Sequence, residues 1–462
     1  MFESNVYVGR RRSLVATLGS LGVHDGIVVF IGNRESPMNY RDNSYRFRQD
    51  SSFLYYFGVA EPGLAASIDL ASGASKIYID ELTIDDLVWT GPRPGAEEYR
   101  RLCGATLAAP RARLHEDLRT GAARLLFTPP YRSDTAMELS SILGIAPEGL
   151  DAAASIELIK AMVAQREIKE GREIAQIEQA VNTSIAMHRA VIGAARPGLS
   201  EAAMMAEAYR VAYAGGGAPS FPAIATTKGA VLHNHGYPGV LKSGGLFLLD
   251  TGAETVEGYA GDLTSTFPVG EAYDERQAAI YGIVLKAGEA ASATMAPGVP
   301  YRDAHMAAAT AIAQGLKELG IMRGDVDEAV AAGAHACFFP HGVGHQMGLD
   351  VHDMENLGEL WVGYDGQPKS TEFGLKSLRM AKPLKAGMVV TVEPGIYFIE
   401  GLLADWKAQK KHEAFIDYSQ AERWQGFGGV RNEEDWLVTE EGARRLGAAF
   451  DKSIAAMEGY RA

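Results

Sequence analysis

Cysteine is scarce in this chain of 462 residues, which contains only Cys103 and Cys337, far apart and in no CxxC pattern. A disulfide framework is therefore not expected, and a reducing compartment, the cytoplasm, is predicted. Long hydrophobic runs are also lacking, since the longest purely apolar stretch, around Ile27–Ile31, is far too short to span a membrane. Three consecutive arginines at positions 10–12 are followed by no apolar segment, so no signal peptide is predicted.

Basic residues are outnumbered by acidic ones, 44 to 58, which gives a formal net charge of −14 at pH 7. A protein that follows nucleic-acid phosphates needs the opposite balance, so nucleic acid is not expected as a partner. Internal repeats of solenoid period are also missing from the sequence. The hydrophobic content of 47 % supplies ample core, and a chain of this length predicts two or more domains.

The first third of the chain alternates strand-like and helix-like segments, which predicts an α/β domain. Its strands are predicted at Ile27–Ile31, Ala65–Leu70, Lys76–Ile79 and Arg124–Phe127. A helical, charged stretch follows from about Ala153 to Val191. The polar segment Gln165–Gly171 within it places the domain boundary, so the predicted domains are residues 1–165 and 166–462.

The remainder of the chain has long helical segments between short strand runs. The predicted helices are Glu275–Thr294 and Tyr301–Leu319, and the predicted strands are Leu246–Asp250, Tyr259–Phe267, Met388–Tyr397 and Gly429–Val438. Glycine turns between antiparallel strands, with helices packed behind them, are typical of an α+β layer structure. The fold class predicted for the whole chain is therefore α+β with a leading α/β domain.

Three histidines, His341, His345 and His352, fall within one short segment that also contains three glycines. Histidine is a common metal ligand and proton carrier, and glycine allows close approach of the backbone. His341 and His345 are four residues apart, however, so an ordinary helix face would align them as well. The segment alone leaves a metal site and a solvated loop as open alternatives.

Acidic residues in apolar strand runs decide between these alternatives. Asp250 ends one such run, although it could equally cap the turn at Gly252. If the next strand forms a hairpin with it, Asp262 lies on the same face, and like charges at that distance require a cation or a shared proton. Glu393 lies inside a β-branched run before Pro-Gly, whereas Glu433 is the first of three consecutive acids that could belong to a solvated turn.

Taken together, four carboxylates and a histidine cluster favour a dinuclear metal centre rich in oxygen ligands. Such a donor set suits Mn²⁺ and, less selectively, Co²⁺, Zn²⁺ or Fe²⁺. Two metal ions a few ångströms apart generate hydroxide near neutral pH and stabilise a tetrahedral intermediate. The residues therefore predict a hydrolase.

Five sequence blocks occur in order between about residues 231 and 439: LLLDTGAE, GYAGDLTSTFPV, HGVGHQMGLDVHD, TVEPGIYF and GGVRNEEDWLVT. They resemble the signature blocks of the proline-specific pita-bread metallopeptidases, which are the Xaa-Pro dipeptidases (prolidases) and the aminopeptidases P. In the first domain, FRQDSSFLYYFG resembles a segment of the two-domain members. The resemblance implies a C-terminal pita-bread metallopeptidase domain preceded by an α/β N-terminal domain.

The resemblance also implies two divalent metal ions and five ligands. These are Asp250, Asp262, His345, Glu393 and Glu433. By resemblance, Asp262 and Glu433 bridge the ions, Asp250 binds one ion, and His345 and Glu393 bind the other. A metal-bridging hydroxide attacks the scissile carbonyl, and Glu393 also passes a proton to the leaving nitrogen.

Further residues match substrate-binding or supporting positions of the family. His341 and His352 match histidines that hold the substrate and its oxyanion. His233 matches a histidine near the proline end of the substrate, although His235 is an alternative. Arg431 matches an arginine that supports the bridging acids, and it is counted with His233 among the substrate-binding residues.

The choice between dipeptidase and aminopeptidase P depends on the chain after proline, because a dipeptidase must bind a free carboxylate there. The segment LKSLRMAK resembles the prolidase segment whose arginine receives that carboxylate, and this makes Arg379 the candidate. The long connection between Glu393 and Glu433 is also prolidase-like. A homodimeric Xaa-Pro dipeptidase is therefore predicted. The alternatives are an aminopeptidase P acting on longer peptides, a non-catalytic pita-bread scaffold and a metal-independent hydrolase of creatine-like substrates.

Two departures from the family pattern are visible. Asp250 and Asp262 are separated by one residue more than in the members compared, and the extra residue is expected to be absorbed in the turn Thr255–Gly258. Asn432 stands where an aliphatic residue is usual. The departures leave the predicted metal ligands in place and concern mainly their surroundings.

Overall fold

The computed structural model describes residues 1–119 and 124–460, and it divides into two compact units. The first unit contains Met1–Arg166 together with the short segment Met354–Trp361, and the second contains the rest. The sequence gave no sign that this short segment belongs with the first unit. No helix in the described ranges is long and apolar enough to cross a membrane. Cys103 and Cys337 are both buried and free.

The first unit is built on a mixed five-stranded sheet. Its strands are β1 (Ile27–Ile31), β2 (Ala65–Asp69), β3 (Ser75–Tyr78), β4 (Leu107–Ala109) and β5 (Leu125–Leu126). Their order is β4-β3-β2-β1-β5, in which β1 pairs antiparallel with β2 and parallel with β5. Its helices are α1 (Ser4–Ser20), α2 (Ser51–Phe57), α3 (Ile84–Thr90), α4 (Ala96–Cys103), α5 (Leu114–Arg119), α6 (Ser133–Leu143), α7 (Leu150–Ala153) and α8 (Ile156–Arg166).

The predicted strands of this unit are confirmed to within a residue or two, because β-branched and apolar runs mark them. The strand β4 was not predicted, since its half-exposed Leu-Ala-Ala sequence carries no strand signal. The single predicted helical stretch from 153 to 191 is wrong as one element, because it is divided between α8 and a helix that begins at Gly171.

The helices from residue 171 onward include three long ones. They are α9 (Gly171–Ala194), α10 (Glu201–Ala214), α11 (Glu275–Thr294), α12 (Tyr301–Glu318), α13 (Val326–Ala331), α14 (Glu359–Val362), α15 (Glu400–Ala408), α16 (Tyr418–Glu422) and α17 (Ile454–Gly459). A capping box between Asp274 and Gln277 fixes the start of α11. The helix α12 packs along α11, where a Cβ at Gly315 would lie 2.5 Å from Ile283, so glycine permits the close approach.

The strands of the second unit form several small antiparallel sheets. They are β6 (Ala218–Pro219), β7 (Ile224–Thr226), β8 (Leu246–Asp250), β9 (Ala253–Glu254), β10 (Thr264–Pro268), β11 (Val389–Val392), β12 (Gly395–Tyr397), β13 (Gly429–Arg431), β14 (Glu434–Val438) and β15 (Ala443–Arg445). The sheets have the orders β10-β8-β7, β11-β14-β15, β12-β13 and β6-β9. Mixed helices and small sheets confirm the α+β prediction for this part of the chain.

The connection between β8 and β10 contains the turn Thr255–Gly258. Gly258 N donates to Thr255 O at 2.9 Å, and Gly258 has a φ of 87°, which favours glycine. The predicted strand Tyr259–Phe267 is wrong in its first half, because regular pairing with β8 starts only at Thr264. Asp262 therefore lies in an irregular segment just before β10, and not on a simple hairpin with Asp250.

Candidate metal centre

Three buried side chains, Asp262, His345 and Glu433, each offer a ligand atom within 4.8 Å of the other two. The His345 Nε2 atom lies 3.5 Å from Asp262 Oδ2 and 3.9 Å from Glu393 Oε1, so Glu393 borders the same group. Over residues 1–119 and 124–460, no other three such side chains meet at this spacing. Four of the five side chains predicted as metal ligands thus lie together.

Asp250, the fifth, ends β8 and is held by a buried arginine. Arg431 Nη2 donates to Asp250 Oδ2 at 2.6 Å. Arg431 Nε donates to Thr264 Oγ1 at 3.3 Å, and Thr264 Oγ1 in turn donates to Glu433 Oε2 at 2.7 Å. One guanidinium therefore connects Asp250 directly, and Glu433 indirectly, into a single network.

Both glutamates of the centre lie where a strand is interrupted. Glu393 falls between β11 and β12, and its backbone N donates to Val343 O at 2.7 Å. Glu433 falls between β13 and β14, and its backbone N donates to Thr264 O at 3.1 Å. Because neither glutamate continues a strand ladder, its side chain is released from the regular alternation of the sheet.

The segment around His345 runs beside β11 and orients the imidazole. Thr391 N donates to His345 O at 3.0 Å, and His345 N donates to Thr391 Oγ1 at 3.2 Å. The ring Nδ1 lies 3.0 Å from Gln346 O, which can only accept, so Nδ1 carries the hydrogen and Nε2 presents its lone pair to the acids. A Cβ at Gly344 would lie 2.3 Å from Thr391 O, which explains the glycine.

His341 belongs to a hydrogen-bonded chain that ends on Arg431. Its Nδ1 donates to Gly342 O at 2.8 Å, and its Nε2 accepts from Tyr397 Oη at 2.9 Å. Tyr397 Oη itself accepts from Arg431 Nη1 at 2.8 Å. Burial, followed by the charge of Arg431, lowers the pKa of His341 to about 3, so this imidazole is neutral near pH 7.

The remaining predicted substrate residues border the same centre. The ring of His352 lies 4.1 Å from that of His345, centroid to centroid. His233 is exposed, its ring stacks at 6.2 Å on that of His235, and its pKa is lowered by partial burial and by the charge of Arg431. The charge of half-buried Arg379 acts on both Glu393 and His233.

Burial and mutual repulsion dominate the electrostatics of the carboxylates. Burial, followed by the charge of Asp250, raises the pKa of Asp262 to about 8. Burial likewise raises the pKa of Glu393 to about 8, with Arg431 opposing the shift and Asp262 adding to it. The pKa of Glu433 is raised well above its usual value by burial and by its acidic neighbours. These groups therefore hold protons where a cation would otherwise balance them.

The donor set fits divalent metal ions. Asp262 Oδ1 is buried without a hydrogen-bond partner among the described residues, although a buried carboxylate oxygen normally has one. Carboxylate oxygens with one imidazole nitrogen suit hard and borderline divalent cations. The residues present are thus able to hold metal, and ionised carboxylates bound to it would replace the protonated ones.

Three polar residues of the centre were not predicted: Thr264, Tyr397 and Asp435. Asp435 Oδ2 accepts from Asp262 N at 3.0 Å, and its side chain is fully buried on β14. All three lie within the sequence blocks quoted above. A usable signal was their polarity inside otherwise apolar strand runs, but Asp435 follows two other acids and was interpreted as part of a solvated turn.

Family comparisons cover both units. Residues 175–440 match the family described as Metallopeptidase family M24, and residues 7–125 match the family described as Aminopeptidase P, N-terminal domain. The chain is 32 % identical to the Xaa-Pro dipeptidase of Homo sapiens over 91 % of this chain and 85 % of that protein. It is 30 % identical to the probable Xaa-Pro aminopeptidase of Metarhizium robertsii over 93 % of this chain and 88 % of that protein.

Solved structures of aminopeptidases superpose on the chain. The Pseudomonas aeruginosa aminopeptidase PepP has a TM-score of 0.81 at 28 % identity, and the alignment covers 100 % of this chain and 98 % of that one. Escherichia coli aminopeptidase P with the inhibitor Pro-Leu has a TM-score of 0.81 at 26 % identity over the same shares. The resemblance inferred from the five blocks is confirmed, and this chain belongs to metallopeptidase family M24 with the aminopeptidase P-like combination of an N-terminal domain and a catalytic domain.

Proposed function

We propose that this metallopeptidase hydrolyses the Xaa-Pro bond, preferentially in dipeptides. The observation that carries the proposal is the buried group of Asp262, His345 and Glu433 with Glu393 at its border. The charge of Arg379 acts on Glu393 from a half-buried position, as a receptor for the substrate carboxylate should. The Xaa-Pro dipeptidase of Homo sapiens, similar over most of this chain, supports the same choice.

The metal ligands proposed are Asp250, Asp262, His345, Glu393 and Glu433. Two divalent ions, Mn²⁺ by preference, would supply a nucleophile near neutral pH and polarise the scissile carbonyl. Arg431 is buried with its donors on Asp250, Thr264 and Tyr397, so we assign it to holding the ligands in place. It has little surface left for the substrate, since its side chain is 3 % exposed.

Proton transfer is assigned to Glu393, whose carboxyl lies beside the centre and is the least buried of its acids. Its side chain keeps 21 % exposure, whereas that of Asp262 keeps 6 %. A carboxyl that is open on one side can accept a proton and pass it to the leaving nitrogen. Neutral His341, beside Glu393 Oε2 at 3.9 Å, and His352, beside His345, are assigned to the substrate and its oxyanion.

Substrate orientation is assigned to His233 and Arg379. His233 is exposed near Arg431 and Asp250, and we place it at the proline end of the substrate. Arg379 is assigned to the free carboxylate that follows proline in a dipeptide, because a guanidinium matches a carboxylate in geometry and charge. The homodimer and the cytoplasmic location stay predictions.

The alternative function is Xaa-Pro aminopeptidase activity on longer peptides. It is favoured by the superposition of aminopeptidase P structures over the whole chain. The two functions separate in one assay of the Mn²⁺-loaded protein with Ala-Pro and Ala-Pro-Ala. A larger kcat/KM for Ala-Pro supports the dipeptidase, and a larger one for Ala-Pro-Ala assigns the chain to the aminopeptidases P.

Arg379→Ala tests how the carboxylate is read. The loss of a charge-assisted contact, about 1.5–3 kcal/mol, should lower kcat/KM for Ala-Pro by about tenfold or more. Ala-Pro-Ala should be affected far less, because its carboxylate lies one residue further on. Lys376→Ala is the matched control, since this exposed lysine lies in the same segment near the Phe373 ring. Equal losses on both peptides would remove Arg379 from this role.

A further inference from the structure

The loop between β7 and β8 carries His233, and one buried carboxylate holds both of its ends. Glu201, the first residue of α10, is 1 % exposed. Its Oε1 accepts from Thr227 N at 2.7 Å and from Thr227 Oγ1 at 2.8 Å. Its Oε2 accepts from Gly239 N at 2.8 Å. The two oxygens of one side chain therefore bind the two ends of loop 227–239, an arrangement called here the Glu201 clamp.

The backbone around the clamp leaves room for nothing larger. Glu201 N donates to Gly239 O at 2.9 Å, so residue 239 is bonded to Glu201 in both directions. A Cβ at Gly239 would lie 2.4 Å from Glu201 Oε1, and only glycine permits this approach. The carboxylate is thus part of the loop's closure and not a surface ligand of it.

The clamp extends into the loop through Thr226. Thr226 Oγ1 donates to Glu201 Oε1 at 3.3 Å and accepts from Asn234 Nδ2 at 2.9 Å. Asn234 is the residue that separates His233 from His235. A chain of two hydrogen bonds therefore runs from the buried carboxylate to the immediate neighbour of His233.

The start of the same loop packs against the metal centre. A Cβ at Gly229 would lie 2.4 Å from Gly429 O, so the two backbones are in direct contact. Gly429 begins β13, which ends at Arg431, the residue whose guanidinium binds Asp250. A loop fixed at its ends by Glu201 and in contact with β13 near its start has few orientations left for His233.

We propose that Glu201 is a positioning residue, whose carboxylate keeps loop 227–239 closed so that His233 stays beside the substrate. The proposal rests on the proposed function, because that function assigns His233 to the substrate. A carboxylate is required at this position because every contact comes from a donor, and an ionised carboxylate accepts at both oxygens. An amide would turn its NH₂ group towards one end of the loop and release that end.

The test uses the Mn²⁺-loaded, full-length protein with Glu201→Gln, His233→Ala and both changes together. Glu201→Gln should lower kcat/KM for Ala-Pro by about tenfold while the metal content stays that of the wild type. In the His233→Ala background the same change should cost less than about twofold, because its target is already missing. Independent, multiplying losses would overturn the positioning role.

Glu207→Gln is the matched control on the same helix. Glu207 pairs with Arg210 at 2.7 Å on the exposed side of α10, away from the loop. Its activity should equal that of the wild type, which separates the Glu201 effect from a general effect on α10. A loss in this control equal to that of Glu201→Gln would show a helix effect and overturn the proposal.

Amide hydrogen exchange provides a readout that does not depend on activity. In Glu201→Gln, the amides of Thr227 and Gly239 should exchange faster, while those of β8 keep the wild-type rate. Unchanged protection at both amides would overturn the clamp whatever the activity. A wild-type protein without Xaa-Pro activity would overturn the assignment of His233 to the substrate, and the exchange rates would still decide whether Glu201 closes the loop.

Discussion

Glu393 combines two demands on a single side chain, metal binding and proton transfer. It borders the group of Asp262, His345 and Glu433, yet it is the most open of the centre's acids. Glu393→Gln keeps the size and one oxygen ligand but removes the transferable proton. We expect kcat for Ala-Pro to fall by about 10²–10⁴-fold, the usual contribution of a general acid or base.

The measurement for this variant needs metal analysis beside steady-state kinetics. An unchanged metal content together with a lost kcat assigns the effect to proton transfer. Glu400→Gln is the control, because Glu400 is exposed at the start of α15 and lies outside the centre. Near-normal turnover of metal-loaded Glu393→Gln would show that another group moves the proton.

Single residues of this centre were predictable where an ionisable group contradicts its apolar surroundings. Asp250 at the end of LFLL and Glu393 inside VVTV are examples, because a lone acid in such a run is costly unless it is bound. Tyr397 was not predictable in this way. An aromatic residue in a strand is ordinary, and only the structure shows its hydroxyl between Arg431 and His341.

At the scale of elements, the strand runs were visible in the sequence and their interruptions were not. The predicted strand Met388–Tyr397 is in fact β11 and β12, separated at Glu393, and Gly429–Val438 is β13 and β14, separated at Glu433. β11 pairs with β14, whereas β12 pairs with β13 in another sheet. Hydrophobic periodicity reports burial but not partner exchange between sheets, so it places a strand and misses its break.

The segment between His345 and His352 depends on a buried ion pair. Lys169 Nζ lies 2.8 Å from Asp353 Oδ2, with the two side chains 1 % and 2 % exposed. Asp353 N also donates to Gln346 O at 2.9 Å, which closes the segment that carries both histidines. Lys169→Met leaves a buried carboxylate without its cation, so we expect the free energy of unfolding to fall by about 3–5 kcal/mol.

Urea unfolding of Lys169→Met measures this loss, and the double variant Lys169→Met with Asp353→Leu is its control. Removing both charges should restore most of the stability, since a buried ion pair replaced by apolar groups is often neutral. The double variant should still have altered kinetics, because the segment loses the contact that fixes His352. A double variant as unstable as the single one would mean that packing, and not charge, carries the effect.

At the scale of the whole molecule, buried histidines make the protein sensitive to acid. Burial lowers the pKa of His188 to about 3, of His305 to about 3 and of His335 to about 4. An unfolded histidine titrates at about 6.5, so the unfolded chain binds protons first as pH falls. The stability contributed by these neutral rings is therefore complete above pH 6.5 and is lost progressively below it.

The carboxylates of the metal centre act in the opposite direction, and metal should remove their effect. In the metal-free protein the pKa of Asp262 and of Glu393 is about 8, whereas an unfolded carboxyl titrates near 4. The folded state then holds more protons than the unfolded state, so stability falls as pH rises through 8. Between pH 6.5 and 8 the histidines are neutral in both states, and the expected slope is on the order of 1 kcal/mol per pH unit.

Thermal unfolding with chelator and with Mn²⁺, at pH 6.5 and at pH 8, tests this linkage. Ionised ligands are what a metal binds, so the rise in Tm on adding Mn²⁺ should be larger at pH 8 than at pH 6.5. Asp262→Asn cannot ionise at that position, so its metal-free form should lose less stability over the same range and respond weakly to Mn²⁺. Because the histidines do not titrate in this window, a metal-free wild type whose stability rises from pH 6.5 to 8 would show that the buried acids are ionised without metal.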